Sequence, residues 1–510
     1  MIQINSVPHK PISLFWSVVP FAVIILILGI GAGVYHLNVS VLLLASAAIT
    51  GCIAWAHKIS WQEMEAGIVE KLSTSMPASL ILTAVGALIG AWMFSGTIPM
   101  MIYYGIKVIH PDWIVVSAFV IASIVSTVTG TSWGSVGTVG VALIGIAASL
   151  GAPLPLTAGA IVAGAYFGDK MSPLSDSTNL AALVTGANLY EHIRHLFYTT
   201  MPVFVISLVL YTFLGKTSSG GAYVQSSSVQ ATLDTLASMY TFGAMSWLLL
   251  LPALIVVVGS IAKFPTVPTM LFSAAFAFVI GIFAQHFSFT DGVASLVNGF
   301  DVTMTQAKFA QFDLKQIPPE VVKLLNRGGM VSMMNTLLIV FCAFGFAGIA
   351  SKAGMLETIL KAITDRVALK RGPLIFSTVL SCIMIGFTTG ASYLCLIIPA
   401  EMFGEAYRKA GLHPVNLSRT IEDAGTVLVP IVPWSMAGIY MASQLGVSVV
   451  EYAPYAFLCY GCFLLAIIYG FTGIAIRPLV DGDLVASESK LPIEIAEDCV
   501  DTAGTKLQSV

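Results

Sequence analysis

Charged side chains are scarce in this sequence, at 10% of its 510 residues, whereas soluble domains carry roughly a quarter. Apolar residues make up 57% of the chain. The 26 acidic and 23 basic residues nearly cancel, so the chain lacks the strongly basic surface that nucleic-acid binding requires. The scarcity of charge excludes a soluble fold and predicts a protein that lies in the lipid bilayer.

Cysteine is sparse as well, and its placement excludes a disulfide scaffold. Six of the seven cysteines lie in or beside apolar runs rather than in polar loops. Cys459 and Cys462 form a C-x-x-C pair, but no histidine or second cysteine pair lies near them in the sequence. Because structural zinc sites need about four such ligands, the pair does not predict a metal site, and we expect no bound cofactor.

Long apolar runs, in contrast, are abundant. Runs of roughly 20 residues have the length that a bilayer-spanning helix needs. The run at 12-35 exceeds the apolar core of a signal peptide and carries no small-x-small cleavage motif, so we interpret it as the first span. The predicted simple spans are 12-35, 39-56, 74-95, 196-215, 242-262, 266-287, 329-351 and 456-476.

Two further apolar segments carry small and hydroxylic residues at their centres. In the segment 113-150 these residues are Thr127 to Ser132, and in the segment 373-404 they are Thr388 to Ser392. Both segments are too long for one simple span and are interrupted where a span would be most apolar. We predict that each forms a helical hairpin that enters the membrane and returns.

Another two segments, 156-187 and 417-447, are interrupted by glycine and proline at mid-length. The interruptions run from Gly168 to Pro173 and from Gly425 to Pro430. Glycine weakens a helix and proline removes a backbone donor. We therefore predict that each segment consists of two half-helices joined by unwound backbone.

The interrupted segments occur twice in the same order, which predicts an all-α polytopic membrane protein with two related halves. The first repeat covers 1-241 and the second covers 242-476, followed by a polar cytoplasmic tail at 477-510. Gly130 and Gly390, at the hairpin centres, are 260 positions apart. Each half is predicted to cross the bilayer an odd number of times, so the second is inverted relative to the first. Inverted repeats with discontinuous helices are typical of secondary transporters.

The distribution of lysine and arginine predicts the orientation in the membrane. Under this topology 16 of the 23 basic residues lie on the side that holds both termini, 6 lie on the other side, and Lys170 lies within the membrane. Basic residues accumulate in cytoplasmic loops. We therefore predict a multi-pass protein of the bacterial inner membrane with both termini in the cytoplasm.

Few ionisable residues lie inside the interrupted segments. Asp169, Lys170 and Asp176 lie in the first broken helix, and Glu422 and Asp423 lie in the second. A charge at the bilayer centre costs at least about 2.5–3.5 kcal/mol, so these residues are candidates for function. Structural roles stay open for all of them. Asp169 and Lys170 can form an internal ion pair, and Asp176 can cap a half-helix. Glu422 and Asp423 come early in their segment and can lie at the membrane interface.

Hydroxyl, amide and carboxylate groups beside unwound backbone supply the oxygen ligands that hard cations favour. We predict that Na+ is the coupling ion and that Ser132, Asp176 and Asn179 bind it. The full set of predicted ion-binding or substrate-binding residues lies at the hairpin centres and at the breaks: Thr129, Gly130, Thr131, Ser132, Asp169, Lys170, Ser175, Asp176, Thr178, Asn179, Thr389, Ser392, Asp423 and Trp434.

The residues Gly130 to Gly134 match G-x-S-x-G, which in a strand-turn-helix marks a hydrolase nucleophile. No strand pattern precedes them, and no histidine lies deep in an apolar segment where it could act as the base, so we do not predict an enzyme.

Trp133, Tyr393 and Trp434, near the hairpin centres and breaks, either line a pocket or serve packing. No arginine falls in the predicted midplane, which argues against a dicarboxylate ligand.

The run from Gly168 to Ala181, together with Gly130 to Ser135, closely resembles the NhaC family of sodium/proton antiporters. The resemblance spans nearly the whole chain. It implies a homodimer whose subunits contain a scaffold domain and an elevator-like transport domain made of two hairpins and two broken helices. It also implies exchange of Na+ for H+, with both ions competing for the carboxylates of Asp169 and Asp176.

The same resemblance leaves an alternative function open, because relatives in the family exchange malate for lactate or carry amino acids. Under this alternative, Na+ bound at the two junctions of hairpin and broken helix creates a site for a small organic solute between Ser132 and Ser392. A channel is disfavoured, since broken helices in inverted repeats are typical of carriers. In both carrier functions we expect the first half to handle the charge and the second to supply hydroxyls and carbonyls.

Overall fold

The computed structural model of the protein describes residues 12–31, 35, 37–218, 226–242, 246–305, 317, 319–364 and 370–480. Within these residues the regular structure is helical, and the only extended pairing is one bridge between Leu412 and Pro478. The all-α prediction is therefore confirmed. Of the predicted tail at 477-510, residues 481–510 lie outside the described residues.

The helices up to residue 218 follow the predicted order of spans, hairpin and broken helix. A 3₁₀ turn at Pro111–Trp113 precedes the hairpin, and a π-helical turn at Val136–Gly140 lies within its second arm. The α-helices are α1 (Leu14–Gly31), α2 (Val39–Ala56), α3 (Trp61–Ser95), α4 (Thr97–Val108), α5 (Ile114–Thr129), α6 (Ser132–Ser135), α7 (Val141–Ser149), α8 (Leu154–Met171), α9 (Asp176–Thr185) and α10 (Leu189–Ser218).

The described helices beyond residue 218 end in a second hairpin, a second broken helix and a final span. A π-helical turn at Glu422–Thr426 and a 3₁₀ turn at Val429–Ile431 continue α20. The α-helices are α11 (Ser226–Met239), α12 (Leu251–Ile261), α13 (Thr266–Phe283), α14 (Phe289–Asn298), α15 (Pro319–Leu325), α16 (Met334–Lys352), α17 (Met355–Thr364), α18 (Arg371–Thr389), α19 (Ser392–Lys409), α20 (Pro414–Ile421), α21 (Met436–Leu445), α22 (Val449–Tyr452) and α23 (Phe457–Thr472).

The lengths and compositions of these helices fit a multi-pass membrane protein. In the described residues, seven helices are long and apolar enough to cross a bilayer, or up to ten if each of three bent pairs counts as one span. Large apolar side chains such as Trp55, Phe213 and Phe283 are exposed on the surface, where lipid can cover them.

The third helix begins well before the predicted span at 74-95. A capping box starts it at Trp61: the Ser60 hydroxyl accepts from the backbone N–H of Glu63, and the Glu63 carboxylate accepts from the backbone N–H of Ser60. The resulting helix has 35 residues and is about 52 Å long at 1.5 Å per residue. It therefore extends beyond the hydrocarbon core, which is roughly 30 Å thick.

The helices pack in two groups. In one group α3 packs against α13, α14 and α16, and α2 packs against α16. In the other group α5 lies along α8, α10 contacts both, and α18 packs against α19 and α23. The helix α4 follows α3 and leads into the first hairpin, and α17 follows α16 and leads into the second hairpin.

Gly168 sits in the close contact of α5 with α8. A Cβ atom at this position would lie 2.4 Å from the backbone nitrogen of Thr127 and 2.5 Å from the carbonyl oxygen of Ser123. Such distances leave room only for hydrogen. The glycine lets α8 approach α5 closely and so brings the next residue, Asp169, beside the hairpin turn.

The helix breaks lie slightly later in the chain than glycine and proline predicted. The helix α8 continues through Gly168 to Met171, and the break covers 172–175, which includes Pro173. In the second segment, Gly425 lies within the π-helical turn, and the chain leaves the helix only after Ile431. Glycine at these two positions serves close packing, so it does not end the helix.

Candidate functional site

Each hairpin turn lies against the break of the broken helix that follows it. Gly130 and Gly390 end the first arms with φ of 70° and 62°. A Cβ atom on Gly130 would lie 2.7 Å from the Cβ of Leu174, and one on Gly390 would lie 3.1 Å from the Cα of Ser435. The left-handed backbone and the close approach both favour glycine. The two junctions thus bring hairpin turns to unwound backbone.

At the first junction, Ser132 contacts Asp169. The Ser132 hydroxyl, which is buried, donates to Oδ2 of Asp169 over 2.8 Å. The Ser175 side chain also lies within hydrogen-bonding reach of the Asp169 carboxylate, and its hydroxyl is 3.1 Å from that of Ser177. Three of the residues singled out from the sequence therefore meet around one carboxylate.

The side chains of Thr178 and Asn179 donate hydrogen bonds to backbone carbonyls at and beside the first break. The Thr178 hydroxyl donates to the carbonyl of Lys170 over 3.1 Å. The Asn179 amide donates to the carbonyls of Pro173 and Ser175, at 2.9 and 2.6 Å. Because one side-chain amide donates to carbonyls at two positions of the break, Asn179 stabilises this loop.

The three predicted sodium ligands do not share a contact among those described. The Ser132 hydroxyl donates a hydrogen bond to Asp169, whereas the Asn179 amide donates one to the carbonyl of Ser175 in the break. Asp176 begins α9 and is exposed, but lies close enough to interact electrostatically with Asp169. The site around Asp169 therefore contains two carboxylates, of which one is more accessible than the other.

The neighbouring Lys170 is buried and pairs with the second half of the chain. Its ammonium group donates to Oδ1 of Asp423, which also accepts from the Thr199 hydroxyl over 3.1 Å. The internal pair of Asp169 with Lys170 that the sequence allowed is thus replaced by a pair across the two broken helices. Such a pair is costly to break from one side, because the remaining charge would stay buried.

Glu422 and Asp423 are fully buried inside the protein, so neither carboxylate lies on its surface. The reason lies in the packing of the first turns of α20, where Asn416 and Arg419 donate to the carbonyls of Arg477 and Ala475 over 2.7 Å each. The chain after α23 therefore covers the start of α20, and early residues of the segment lie inside protein.

Glu422 was not among the predicted site residues, although it belongs with them. Its Oε1 accepts from the hydroxyls of Ser177 and Thr426, at 3.3 and 3.1 Å. Through Ser177 and Ser175 it is connected to the surroundings of Asp169. It lies in a π-helical turn, a feature frequent at functional sites. Its position next to Asp423 in an apolar segment was the signal that could have found it.

The remaining predicted residues of the first hairpin stabilise its turn. The Thr129 hydroxyl donates to the carbonyl of Val125 over 2.9 Å and lies 3.1 Å from the hydroxyl of Ser135. The Thr131 hydroxyl accepts from the backbone N–H of Gly134 over 3.2 Å and caps α6. Both threonines lie beside Ser132 but use their hydroxyls within the hairpin.

The predicted residues of the second hairpin lie together at the second junction. Thr389 donates to the carbonyl of Ile385 over 2.8 Å, and Ser392 is the first residue of α19 and is half-buried. The Trp434 indole donates to the carbonyl of Phe387 over 2.6 Å. This junction has hydroxyls and an aromatic ring where the first has carboxylates.

The three aromatic residues near the junctions have separate surroundings in the described structure. Trp133 stacks on Tyr440 with ring centroids 4.4 Å apart, and the Tyr440 hydroxyl donates to the Trp133 carbonyl. Trp434 packs edge-on against Phe387, and Tyr393 is exposed. These contacts favour packing over a shared aromatic pocket, and the first of them joins hairpin one to the second broken helix.

Three further features of the interior were not expected from the sequence. His192 and His195, near the start of α10, are buried. Arg419 is fully buried one turn before Asp423, so an arginine lies beside the candidate site. Charge is therefore not concentrated in the first half, because the second half contributes Glu422, Asp423 and Arg419 to the same interior.

The polar side chains described above, from Ser132 and Asp169 to Glu422 and Asp423, form one polar cluster, and it contains more acidic than basic groups. Four carboxylates lie within it or beside it, and two basic side chains, Lys170 and Arg419, lie among them. Its acidic members are Asp169, Asp176, Glu422 and Asp423. Because an uncompensated negative charge in an apolar protein is costly, such a cluster favours uptake of a metal cation or of protons.

A family model described as the Na+/H+ antiporter family matches residues 164–474, which include both breaks and the whole second hairpin. The match covers more than half of the chain. This chain belongs to the Na+/H+ antiporter family. The resemblance seen in the sequence is thereby confirmed.

Curated relatives cover nearly the whole of this antiporter-family chain. It is 45% identical to an uncharacterized Na+/H+ antiporter of Haemophilus influenzae, over 90% of this chain and 96% of the relative. It is 37% identical to the Na+/H+ antiporter NhaC of Alkalihalophilus pseudofirmus, over 82% and 87% of the two chains. It is also 37% identical to the malate-2H+/Na+-lactate antiporter of Bacillus subtilis, over 81% and 85%.

Proposed function

We propose that this protein exchanges Na+ for H+ across the membrane and that Asp169 is the carboxylate for which the two ions compete. The hydrogen bond from Ser132 to Asp169 carries the proposal, because it joins a hairpin turn to the end of a half-helix inside an apolar protein. Family membership and the relatives named as Na+/H+ antiporters support it. When two ions bind one group, each lowers the affinity for the other, and the two fluxes become coupled.

The oxygen atoms around Asp169 suit Na+. The hydroxyls of Ser132 and Ser175 lie at the carboxylate. We assign Na+ binding to these three residues, and Asp176 contributes a second negative charge nearby. Asn179, also predicted as a ligand, stabilises the loop that shapes the site. Lys170 and Asp423 hold the two broken helices together.

Two inverted repeats underlie this site. Helix boundaries in the two halves support them, because they recur 260 positions apart: Leu154 and Pro414 begin the broken helices, and Asp176 and Met436 begin their second halves. Left-handed glycines follow the same spacing, as in Gly186 and Gly446.

The division into two helix groups supports an elevator mechanism, and the family resemblance implies that it operates in a homodimer. The group containing α2, α3, α13 and α16 acts as the scaffold, and the hairpins with the broken helices move against it. The helices α4 and α17 connect the two groups and flex during the movement. Both termini lie in the cytoplasm of a bacterial cell, as the basic residues predict.

Purified protein in liposomes tests the exchange directly. An imposed Na+ gradient is expected to move protons, reported by a pH-sensitive dye inside the liposomes, with no organic solute present. Asp169→Asn is expected to abolish the signal, because the amide binds neither ion as a carboxylate does. Asp176→Asn serves as the comparison at an exposed carboxylate. If Asp176→Asn abolishes exchange and Asp169→Asn leaves it intact, the assignment of Asp169 is wrong.

An organic solute coupled to Na+ remains the second candidate, because one relative is named a malate-2H+/Na+-lactate antiporter. The buried cation Arg419 favours it as well, since a guanidinium group suits carboxylates. The same liposomes discriminate between the two functions. No pH change inside the liposomes under a Na+ gradient, together with Na+-driven uptake of labelled malate, lactate or amino acid, would support the second candidate and contradict the first.

A further inference from the structure

Buried polar atoms without a hydrogen-bond partner concentrate where α10 packs against α20. We call this contact the polar seam and define it by His192, His195 and Thr199 of α10 and by Ser418, Arg419 and Asp423 of the facing segment. Among the described residues, the unpartnered buried atoms of the seam are Nε2 of His192, Nε2 of His195, Nε and Nη2 of Arg419, and Oδ2 of Asp423.

The polar seam is continuous along one face of α10. Positions 192, 195 and 199 follow the i, i+3, i+7 spacing that places side chains on the same side of a helix. At one end Nδ1 of His192 lies 2.8 Å from the Ser418 hydroxyl. At the other end the Thr199 hydroxyl donates to Asp423. The distance along the helix from residue 191 to residue 199 is about 12 Å at 1.5 Å per residue.

The outer end of the polar seam reaches the surface. His195 lies near the Asn416 side chain, whose amide donates to the carbonyl of Arg477 over 2.7 Å. Arg477 forms an ion pair with Glu191 at 2.9 Å, and both side chains are 40–47% exposed. This end lies on the side of the membrane that the basic residues predict to be cytoplasmic.

The inner end of the polar seam meets the proposed ion site. Asp423 accepts from Lys170, whose ammonium group also interacts electrostatically with Glu422. Glu422 accepts from the Ser177 hydroxyl. Ser177 contacts Ser175, and Ser175 reaches Asp169. A chain of hydroxyl and carboxyl groups therefore continues from the seam to the carboxylate at which Na+ and H+ compete.

Unpartnered buried polar atoms are rare in proteins, and ordered water usually satisfies them. We infer that the polar seam holds water molecules and conducts protons between the surface at Glu191 and the carboxylates at Asp423 and Glu422. The inference rests on the proposed exchange of Na+ for H+. An imidazole that accepts a proton on one ring nitrogen can release another from the opposite nitrogen, so protons pass while the histidine returns to its neutral form.

Charged and titratable groups face the polar seam from every element packed against it. They are Lys170 of α8, Glu191 of α10, His413 before α20, Arg419, Glu422 and Asp423 of the α20 segment, Tyr407 of α19, Cys462 and Tyr469 of α23, and Arg477. Lys170 and Arg419 repel a cation that stops among them, which favours brief passage of protons over storage.

Two transport modes of the same liposomes separate proton conduction from ion binding. His195→Gln keeps a polar side chain for Asn416 but cannot relay a proton, and His192→Asn does the same beside Ser418. We expect each to slow proton-coupled Na+ uptake by about tenfold or more, the scale of general acid–base effects. Exchange of radioactive Na+ for unlabelled Na+ at equal pH needs no proton and is expected to stay at the rate of the unaltered protein.

Chemical rescue provides the positive test. In His195→Ala, added imidazole is expected to restore proton-coupled uptake, because it can occupy the space of the missing ring. His57→Gln, far from the polar seam at the end of α2, is the matched control and is expected to transport normally.

Equal loss of both transport modes, or full proton-coupled activity in the double variant of His192 and His195, would overturn the inference. Absence of any Na+-driven pH change in the unaltered protein would instead overturn the proposed function.

Discussion

At the scale of single residues, the site depends on which polar groups the fold brings to Asp169. Ser132 lies in a hairpin turn and Asp169 at the end of α8, 37 positions later. Sequence reasoning singled out both, because hydroxyl and carboxylate groups are exceptional in apolar segments. It did not pair them, since the pairing depends on the close approach of α5 and α8.

Removal of the Ser132 hydroxyl tests that pairing. Ser132→Ala is expected to weaken the apparent affinity for Na+ by about tenfold or more, because a hydrogen bond to a charged group contributes about 1.5–3 kcal/mol. The measurement is the Na+ concentration that half-saturates the pH signal in liposomes. Ser149→Ala is the control, since this hydroxyl of the same hairpin donates only to the carbonyl of Gly145. Equal affinity in both variants would remove Ser132 from the site.

The buried pair of Lys170 with Asp423 allows a second test at the residue scale. Lys170→Met is expected to reduce the free energy of unfolding by about 3–5 kcal/mol, because it leaves a buried carboxylate without its partner. Adding Asp423→Leu is expected to recover most of that loss, since both charges are then absent. Unfolding of the protein in detergent, followed by circular dichroism, measures the effect.

The exposed pair of Lys409 with Glu405 is the control for this experiment. Its members lie four positions apart at the end of α19. Lys409→Met is expected to change the free energy of unfolding by no more than about 1 kcal/mol, the scale of surface ion pairs. A double variant of Lys170 and Asp423 that is less stable than the Lys170→Met variant would contradict this explanation, because the loss could then not come from an unpaired buried carboxylate.

At the scale of helices, the order of elements was predictable and their exact ends were not. Apolar runs of the right length identified spans, and interruptions identified hairpins and broken helices. The ends depend on local contacts that composition does not reveal. The capping box of Ser60 extends α3, and the packing of Gly168 on α5 lets α8 continue to Met171.

Burial was the property that the order of elements predicted least well. Glu422, Asp423 and Arg419 come early in their segment, where distance along one span indicates the membrane interface. The chain after α23 folds back over α20 and covers these residues. Only the tertiary structure contains that contact, so burial inside the protein cannot be estimated from the position along one helix.

Adding one methyl group at Gly168 tests the close packing of α5 against α8. Gly168→Ala is expected to cost about 1–3 kcal/mol of stability and to slow exchange, because the new Cβ meets backbone atoms at 2.4–2.5 Å. Gly404→Ala in α19 is the matched control, since a Cβ there meets nothing within 4 Å. That control is expected to be neutral or up to about 1 kcal/mol more stable. Equal thermal stability of the two variants would contradict this role of Gly168.

At the scale of the whole molecule, the two halves converge on one site while differing in chemistry. The first junction carries Asp169, whereas the second carries Trp434 and hydroxyls. The carboxylates of the second half lie instead in the π-helical turn before its break, where Asp423 pairs with Lys170. The pair of Lys170 with Asp423 therefore joins the two broken helices next to the first junction.

The inversion of the two repeats is testable from outside the cell. Gln62 and Thr290 are exposed and occupy equivalent places, after the second predicted span of each half. If the repeats are inverted, the two positions face opposite sides of the membrane. In a cysteine-free background, Thr290→Cys is expected to react with a membrane-impermeant maleimide in intact spheroplasts, and Gln62→Cys only after the membrane is opened. Reaction of both positions from one side would indicate parallel repeats, and with them a different path for ions through the protein.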